Sequence, residues 1–587
     1  MMPTFETDRR ALLRGAALAG GGLGLASWFP AWAQPVSAGI VQPLPTIGGT
    51  DIALRIAHRM MTVDGRESHA IGVNGTVPAP LLRLRQGQTV RLSVTNDLDE
   101  DSSIHWHGLL VPSQFDGVPG LSFPGIRPRS TFVYEFPIVQ AGTYWYHSHS
   151  GLQEQMGHYG PIVIDPAGED PIASDREHVI VLSDHSPMHP HAIFLKLKQQ
   201  AGYFNHGKQT LTGLLAGRDQ SLGERLDWGR MRMDPTDVSD VTGATYTYLV
   251  NGHGPADNWT ALFRPGERVR LRFVNASAMT IFNVRIPGLA LTIVQADGQD
   301  VRPVTVDEFQ ITVAETFDVI VTPTEDRAYA IVGEAVDRSG MARATLAPRE
   351  GMAAEVPALR PRPIATMKDM GMDMSGAGGG TLDLGAPDNG MAGMDHMGGG
   401  AMSMKMRDPA NAPQVPMGPG VQTISPMPVD RTGEPGQGLG DVGHRVLVYR
   451  DLMALARNPD VRAPGRAMEI HLTGNMERYM WAFDGVKLNA VKAPIPFVQG
   501  ERVRITLVND TMMSHPIHLH GHFFELVTGH GEFAPRKHTV NVLPGGKLTF
   551  DVTTDAVGDW AFHCHMLYHM HAGMMQVVTV RPRGEAA

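Results

Sequence analysis

The chain has 587 residues, 42% hydrophobic and 19% charged, with 66 Gly, 43 Pro, a single Cys and a formal net charge of -10. At roughly 100–200 residues per domain this length predicts three or four domains, and the Gly and Pro content favours short strands and turns over long helices. One cysteine excludes an internal disulfide framework, and the acidic balance argues against a nucleic-acid binder, which presents a basic face. The 26 His and 33 Met point to metal, since imidazole and thioether are borderline and soft ligands.

Residues 1–33 read as a signal peptide. Arg9 and Arg10 precede a Gly/Ala-rich apolar run, and Ala31-Trp32-Ala33 offers a cleavage site. The paired arginines resemble a twin-arginine export signal, so the mature chain is expected in a bacterial periplasm. No later run of about 18 apolar residues appears, so no membrane span is expected.

One strand then recurs three times: GQTVRLSVTN at 87–96, GERVRLRFVN at 266–275 and GERVRITLVN at 500–509. Each copy opens on a turn Gly and alternates apolar with polar residues, the period of a half-buried strand. Each follows an Asn-Gly or Asp-Gly turn, at 74–75, 251–252 and 484–485. The pattern predicts an all-β protein of three related β-sandwich units at 44–168, 169–350 and 441–587. A second repeat links only the outer units: GTYWYHSH at 142–149 matches GDWAFHCH at 558–565, whereas the middle unit carries Ile281-Phe282-Asn283 where the others have histidines. Between units two and three, 351–440 is rich in Gly, Pro and Met, and 367–427 holds 12 of the 33 methionines. With few aliphatic residues it is expected to be a flexible linker.

Four His-X-His pairs fall in repeat-related places: His105/His107, His147/His149, His518/His520 and His563/His565. Alternate residues of a strand share a face, so each pair presents two imidazoles side by side. Asn96 precedes His105 and His107 by nine and eleven residues, as Asn509 precedes His518 and His520. Homologous strands therefore supply matching ligands, and eight imidazoles can converge between units one and three. The single cysteine sits inside the last pair, facing away from His563 and His565. With His515, His569 and Met574 it completes two imidazoles, a thiolate and a thioether, the ligand set of a blue-copper electron-transfer site. Unit one has Ser148 at the corresponding place and cannot build that site.

HWHG at 105–108, HSHS at 147–150, HPIHLHGH at 515–522 and HCHMLYHMHAGM at 563–574 resemble the four copper-binding motifs of three-domain multicopper oxidases. The resemblance spans nearly the whole mature chain. It implies three cupredoxin-like Greek-key domains, the middle one without copper ligands, and four copper ions. By it, His515, Cys564, His569 and Met574 hold the type 1 copper, and His105 and His518 the type 2 copper. His107, His147, His149, His520, His563 and His565 hold the type 3 pair. Electrons taken singly from a reducing substrate at type 1 then pass through Cys564 and reduce O2 to water at the other three. Asp116, in FDGVP at 115–119, stands where the family places a proton-relaying carboxylate; an ordinary Asp-Gly turn accounts for it equally well. Where many members carry Glu before the last type 1 histidine, this chain has Tyr568.

Tyr568, the export signal and the Met-rich stretch together resemble the copper resistance protein A branch. That resemblance implies Cu(I) as the reducing substrate and a role in copper tolerance. Thioethers suit Cu(I) and stay unprotonated at acidic pH, where imidazole does not. Met370, Met372, Met374, Met391, Met394, His396, Met397, Met402, Met404 and Met406 are the expected Cu(I) binders. Two rivals stay open: a laccase-like phenol oxidase with a pocket over His515 and His569, and a copper-sequestering protein whose turnover is incidental. A monomer is the default assembly.

Overall fold

The computed structural model describes residues 39–205, 207–372 and 406–584. The signal-peptide reading of 1–33 lies outside them. Six sheets are present among the described residues, two for each predicted unit. In the first pair, Arg66–Val73, Asp51–Val63, Thr89–Asn96 and Ser130–Pro137 pack on Thr46–Gly48, Leu81–Arg85, Tyr159–Asp165, Gly142–His147 and His105–His107, each sheet in that order. In each unit the recurring strand is central and runs parallel to a long partner: Thr89–Asn96 with Asp51–Val63, Val269–Asn275 with Arg176–His185, Glu501–Asn509 with Arg466–Asn475. One apolar cluster runs continuously through the middle and third units and takes in Trp145 and Tyr159 of the first, while most of the first unit's apolar residues form a second core.

The repeated turns and asparagines are structural devices. Asn74-Gly75, Asn251-Gly252 and Asp484-Gly485 all adopt positive φ at both positions, the tight hairpin geometry that Asn, Asp and Gly tolerate. The first side chain of each turn accepts a backbone N–H from the long strand: Arg55 at 2.7 Å, Val181 at 2.7 Å and His471 at 2.8 Å. At the strand's far end Asn96, Asn275 and Asn509 are completely buried. Each amide donates to two carbonyls, and its oxygen accepts the N–H two residues on. For Asn509 the bonds go to Met513 O (2.7 Å) and Val542 O (2.9 Å), and from Thr511 N (2.9 Å). This clasp fixes the chain as it leaves the strand toward the histidine motif.

The 351–440 stretch departs from the linker expectation. Its described parts, 351–372 and 406–440, are docked on the units rather than loose. Ala412, Val415, Val421 and Ile424 form a small core, Thr423 and Ser425 bond Asp510, and Met370 and Met372 are 3% and 1% exposed. Four of its apolar residues bury this small core among themselves, and the middle and third units supply the opposing surface for others. Residues 373–405, with Met374, Met391, Met394, His396, Met397, Met402 and Met404, lie outside the described residues.

Replacing Asn509 by Ala removes four bonds and takes from the buried Met513 and Val542 carbonyls the amide donor they share. At about 1–3 kcal/mol per stranded group, N509A and N96A are each expected to lose about 2–4 kcal/mol in denaturant unfolding. Losses near zero would show that the turn holds itself without the clasp.

Candidate metal centre

The histidine pairs sit on short strands that meet across units one and three. His105–His107 pairs antiparallel with Gly142–His147, setting His105 opposite His147; His515–Leu519 pairs with Gly558–Cys564, setting His518 opposite His563. The two half-sites then interleave. His105 stacks on His520 and His107 on His518, each with ring centroids 3.9 Å apart. Candidate ligand atoms lie within 4.8 Å of one another in the groups His107/His147/His565, His149/His520/His563 and His105/His107/His518. The first two triads contain all six residues expected at the type 3 pair, and His105 and His518 remain.

Most of the outward nitrogens are held. His105 Nδ1 donates to Asp116 O (2.7 Å), His518 Nδ1 to His538 O (2.6 Å) and His563 Nδ1 to Cys564 O (3.0 Å). His147 Nδ1 faces Glu154 Oε2 at 2.7 Å, and His520 Nδ1 faces Asp116 Oδ2 at 2.8 Å. Gly117, at φ +85°, brings the Asp116 turn under His105: a Cβ there would fall 1.8 Å from Ile104 O. Such anchors fix the tautomer and leave the other nitrogen for metal. Nε2 of His105, His147, His149 and His518, Nδ1 of His107 and both nitrogens of His565 are buried with no protein partner. Burial, then repulsion between neighbouring rings, holds His107, His147, His149, His518, His520 and His565 well below the ordinary histidine value, and burial takes His563 down to about 4. Neutral imidazoles with inward lone pairs fit metal ions, and left without them each orphaned nitrogen would cost about 1–3 kcal/mol.

The thiolate site is separate and equally buried. Cys564 Sγ lies 3.6 Å from His515 Nδ1 and 3.8 Å from His569 Nδ1, which are 3.2 Å apart. One ion with bonds of about 2.0–2.3 Å subtends such separations. Thr511 Oγ1 holds His515 Nε2 (2.8 Å), Asp240 Oδ2 holds His569 Nε2 (2.6 Å), and Trp481 stacks on His569 at 3.9 Å. Met574, fully buried, donates its N–H to His569 O at 3.0 Å and accepts from Cys564 N at 3.1 Å. Burial pushes the Cys564 thiol well up, so a bound cation is what would deprotonate it.

Beside this site is a thioether cluster that the sequence reading only half found. Met370, Met372 and Met512 are buried against Trp228, with Met231, Met233, Met367, Met406 and Met476 around them. Helix Leu222–Arg230, started by a Ser221/Glu224 capping box, turns Trp228 inward. Asp240 was missed altogether, as were Met231 and Met233; the run MRMDPTDVSD at 231–240 mixes thioethers with carboxylates and was the available signal. Glu154 and the His538-Thr539 loop also escaped notice. Tyr568 is fully buried, with Phe194 ring-stacked at 6.1 Å.

The depressed histidines set a pH dependence. In the unfolded chain each ring takes a proton near pH 6.5, whereas folded His563 resists until about 4. The unfolded state therefore binds more protons in that window, and stability falls as pH drops below about 6.5, by about 1.4 kcal/mol per unit for each such ring. Metal-free protein is expected to melt at steadily lower temperature from pH 7 to 5. A flat profile would mean that the rings are solvated.

Family models described as multicopper oxidase match residues 55–169, 177–351 and 462–584. Copper resistance protein A of Escherichia coli is 47% identical, covering 98% of this chain and 99% of that protein. The multicopper oxidase MmcO of Mycobacterium tuberculosis is 27% identical over 98% of both chains. Among solved structures, Fet3p, a multicopper oxidase that functions in iron import, superposes with TM-score 0.61 at 19% identity, covering 91% of this chain and 90% of that one. The laccase from Botrytis aclada gives 0.59 at 20%, covering 93% and 92%, and these two carry the cupredoxin-like fold alone. With its histidine triads and thiolate site, the chain belongs to the multicopper oxidases, as an oxidoreductase close in sequence to copper resistance protein A.

Proposed function

We propose that the chain holds four copper ions and oxidises Cu(I) to Cu(II) at the expense of O2, serving copper tolerance. His515, Cys564, His569 and Met574 would hold the type 1 ion, and His105 and His518 the type 2 ion. His107, His147 and His565 would hold one member of the type 3 pair, and His149, His520 and His563 the other. Copper bound at these positions supplies one-electron oxidation of the substrate and four-electron reduction of O2 to water. The rest is the work of this chain's residues. Cys564 joins the two centres through its neighbours His563 and His565. Asp116 holds His520 through its side chain and His105 through its carbonyl, and is the carboxylate proposed to pass protons to oxygen. We further propose removal of 1–33 during twin-arginine export to a periplasm, action as a monomer, and domain limits at 44–168, 169–350 and 441–587 around the 351–440 connection.

The observation that carries the Cu(I) reading is the methionine cluster around Trp228, next to Thr511-Met512 and thus to His515. Soft thioethers select a cuprous ion over harder cations. Asp240 adds a second element: its carboxylate meets His569 Nε2 and also accepts from Tyr479 Oη at 2.9 Å. His515 and His569 are both completely buried, so a phenol would not touch either ring directly. An electron reaching Asp240 would pass to His569 through the hydrogen bond between them.

O2 uptake by copper-loaded protein, with Cu(I) and with a bulky phenol, tests this. Replacing Met231, Met233 and Met512 together by Leu, which keeps the packing, is expected to lower Cu(I) turnover at least about tenfold, some 1.4 kcal/mol, and to leave phenol turnover within about twofold. Deleting 373–405, rather than the docked flanks, is expected to weaken turnover only at low Cu(I). Equal losses with both substrates would reduce the cluster to core packing. Cu(I) bound without O2 uptake would favour a sequestering protein.

A further inference from the structure

A second buried assembly lies on the seam between the middle and third units, outside the ligand set. Lys537 is fully buried, its Nζ 3.0 Å from Asp297 Oδ2 and 3.1 Å from Glu315 Oε1, and both carboxylates are buried too. Tyr449 Oη donates to Glu315 Oε1 at 2.7 Å. Asp297 occupies the tip of the hairpin formed by Leu291–Ala296 and Gln299–Val306, at φ +48°. Its Oδ1 accepts from Thr316 N at 3.1 Å, tying the tip to its own sheet. Its Oδ2 accepts from His538 N at 3.2 Å and Thr539 N at 3.1 Å, so one carboxylate reaches from the middle unit into a loop of the third. The other side of the tip rests on unit one: a Cβ on Gly298 would fall 2.2 Å from Tyr144 Cζ.

That loop touches two of the cluster histidines. His518 Nδ1 donates to the His538 carbonyl at 2.6 Å, and Thr539 Oγ1 lies 3.2 Å from both His518 Nδ1 and His107 Nε2. Two buried carboxylates thus share one buried lysine. For stability alone, well-packed apolar residues serve as well or better than buried ions. What the ions add is direction, because each oxygen is committed to a particular N–H.

We propose that Asp297, Lys537 and Glu315 form a clamp through which the middle unit, itself without ligands, positions His518. The clamp holds the 538–539 loop so that His518 keeps its proton on Nδ1 and turns Nε2 to the metal. All three are positioning residues, acting through His538 and Thr539. The inference rests on the ligand reading above, in which His518 holds the type 2 copper.

The test compares D297N, K537M, K537R, E315Q and H518A as full-length, copper-loaded proteins, by copper count per chain, the type 2 electron paramagnetic resonance signal, the thiolate–copper visible absorption and melting temperature. D297N and K537M are expected to keep the visible absorption, to bind the type 2 ion roughly 10–100-fold more weakly, as loss of a ligand's supporting partner does, and to lose or alter its signal. K537R is expected to restore the signal. E315Q, farthest from the loop and the variant least threatening to folding, is expected to shift the signal without loss of copper. An unchanged type 2 signal in folded D297N, K537M and E315Q overturns the clamp. A type 2 signal that survives in H518A overturns the ligand reading instead.

Discussion

The constraint on which the rest of the molecule depends is the crowding of eight imidazoles, seven of them buried and His149 nearly so, within a few ångströms of one another across two units. Burial suppresses their charge, crowding suppresses it further, and inward nitrogens are left with nothing in the protein to bond. Such a cluster costs stability that bound metal would return by taking up the lone pairs, so the fold's task is to hold the rings in place for it. The surrounding carbonyls and carboxylates do this by capturing the outward nitrogens. Gly117 permits the Asp116 turn to come close enough to serve both half-sites.

The duplicated halves share a framework and differ where function divides them. His105 faces His147 as His518 faces His563, and Asn96 is bonded as Asn509 is. At the place of Cys564, however, unit one has Ser148, whose hydroxyl donates to Gln153 Oε1 at 2.9 Å in a buried network that also receives Ser102. The same place in the repeat is thus a proposed ligand in one copy and a structural hydrogen bond in the other. The middle copy keeps the clasp asparagine and the hairpin, gives up the histidines, and places its hairpin tip at the junction of the other two.

What could be read from the sequence follows from the range of the interactions involved. Strand periodicity, paired positive-φ turns and the His-X-His spacing are local, and each repeats, so three units and twelve candidate ligands were legible without coordinates. Asp240 was not, since 329 residues separate it from His569 and a lone Asp in a loop carries no local signature. Asp297 and Lys537 look like an ordinary turn and an ordinary surface cation until the sheets bring them together. The 351–440 stretch misled for a related reason: composition reports whether a segment can bury its own core, not whether a neighbouring unit offers one.

The same geometry bears on Tyr568, which replaces the acid many family members carry before the last type 1 histidine. The ring is buried between the middle and third units, facing Phe194, and the buried Asp184 of the middle unit is close enough to act on it electrostatically. Acidic groups reach the cluster from unit one instead, Asp116 between His105 and His520 and Glu154 against His147. Burial holds the Glu154 carboxyl well above its ordinary value. Under the proposed function electrons would arrive from unit three through Cys564, whereas the carboxylates that touch the cluster histidines come from unit one, so the two halves of the duplicated site supply different parts of oxygen reduction.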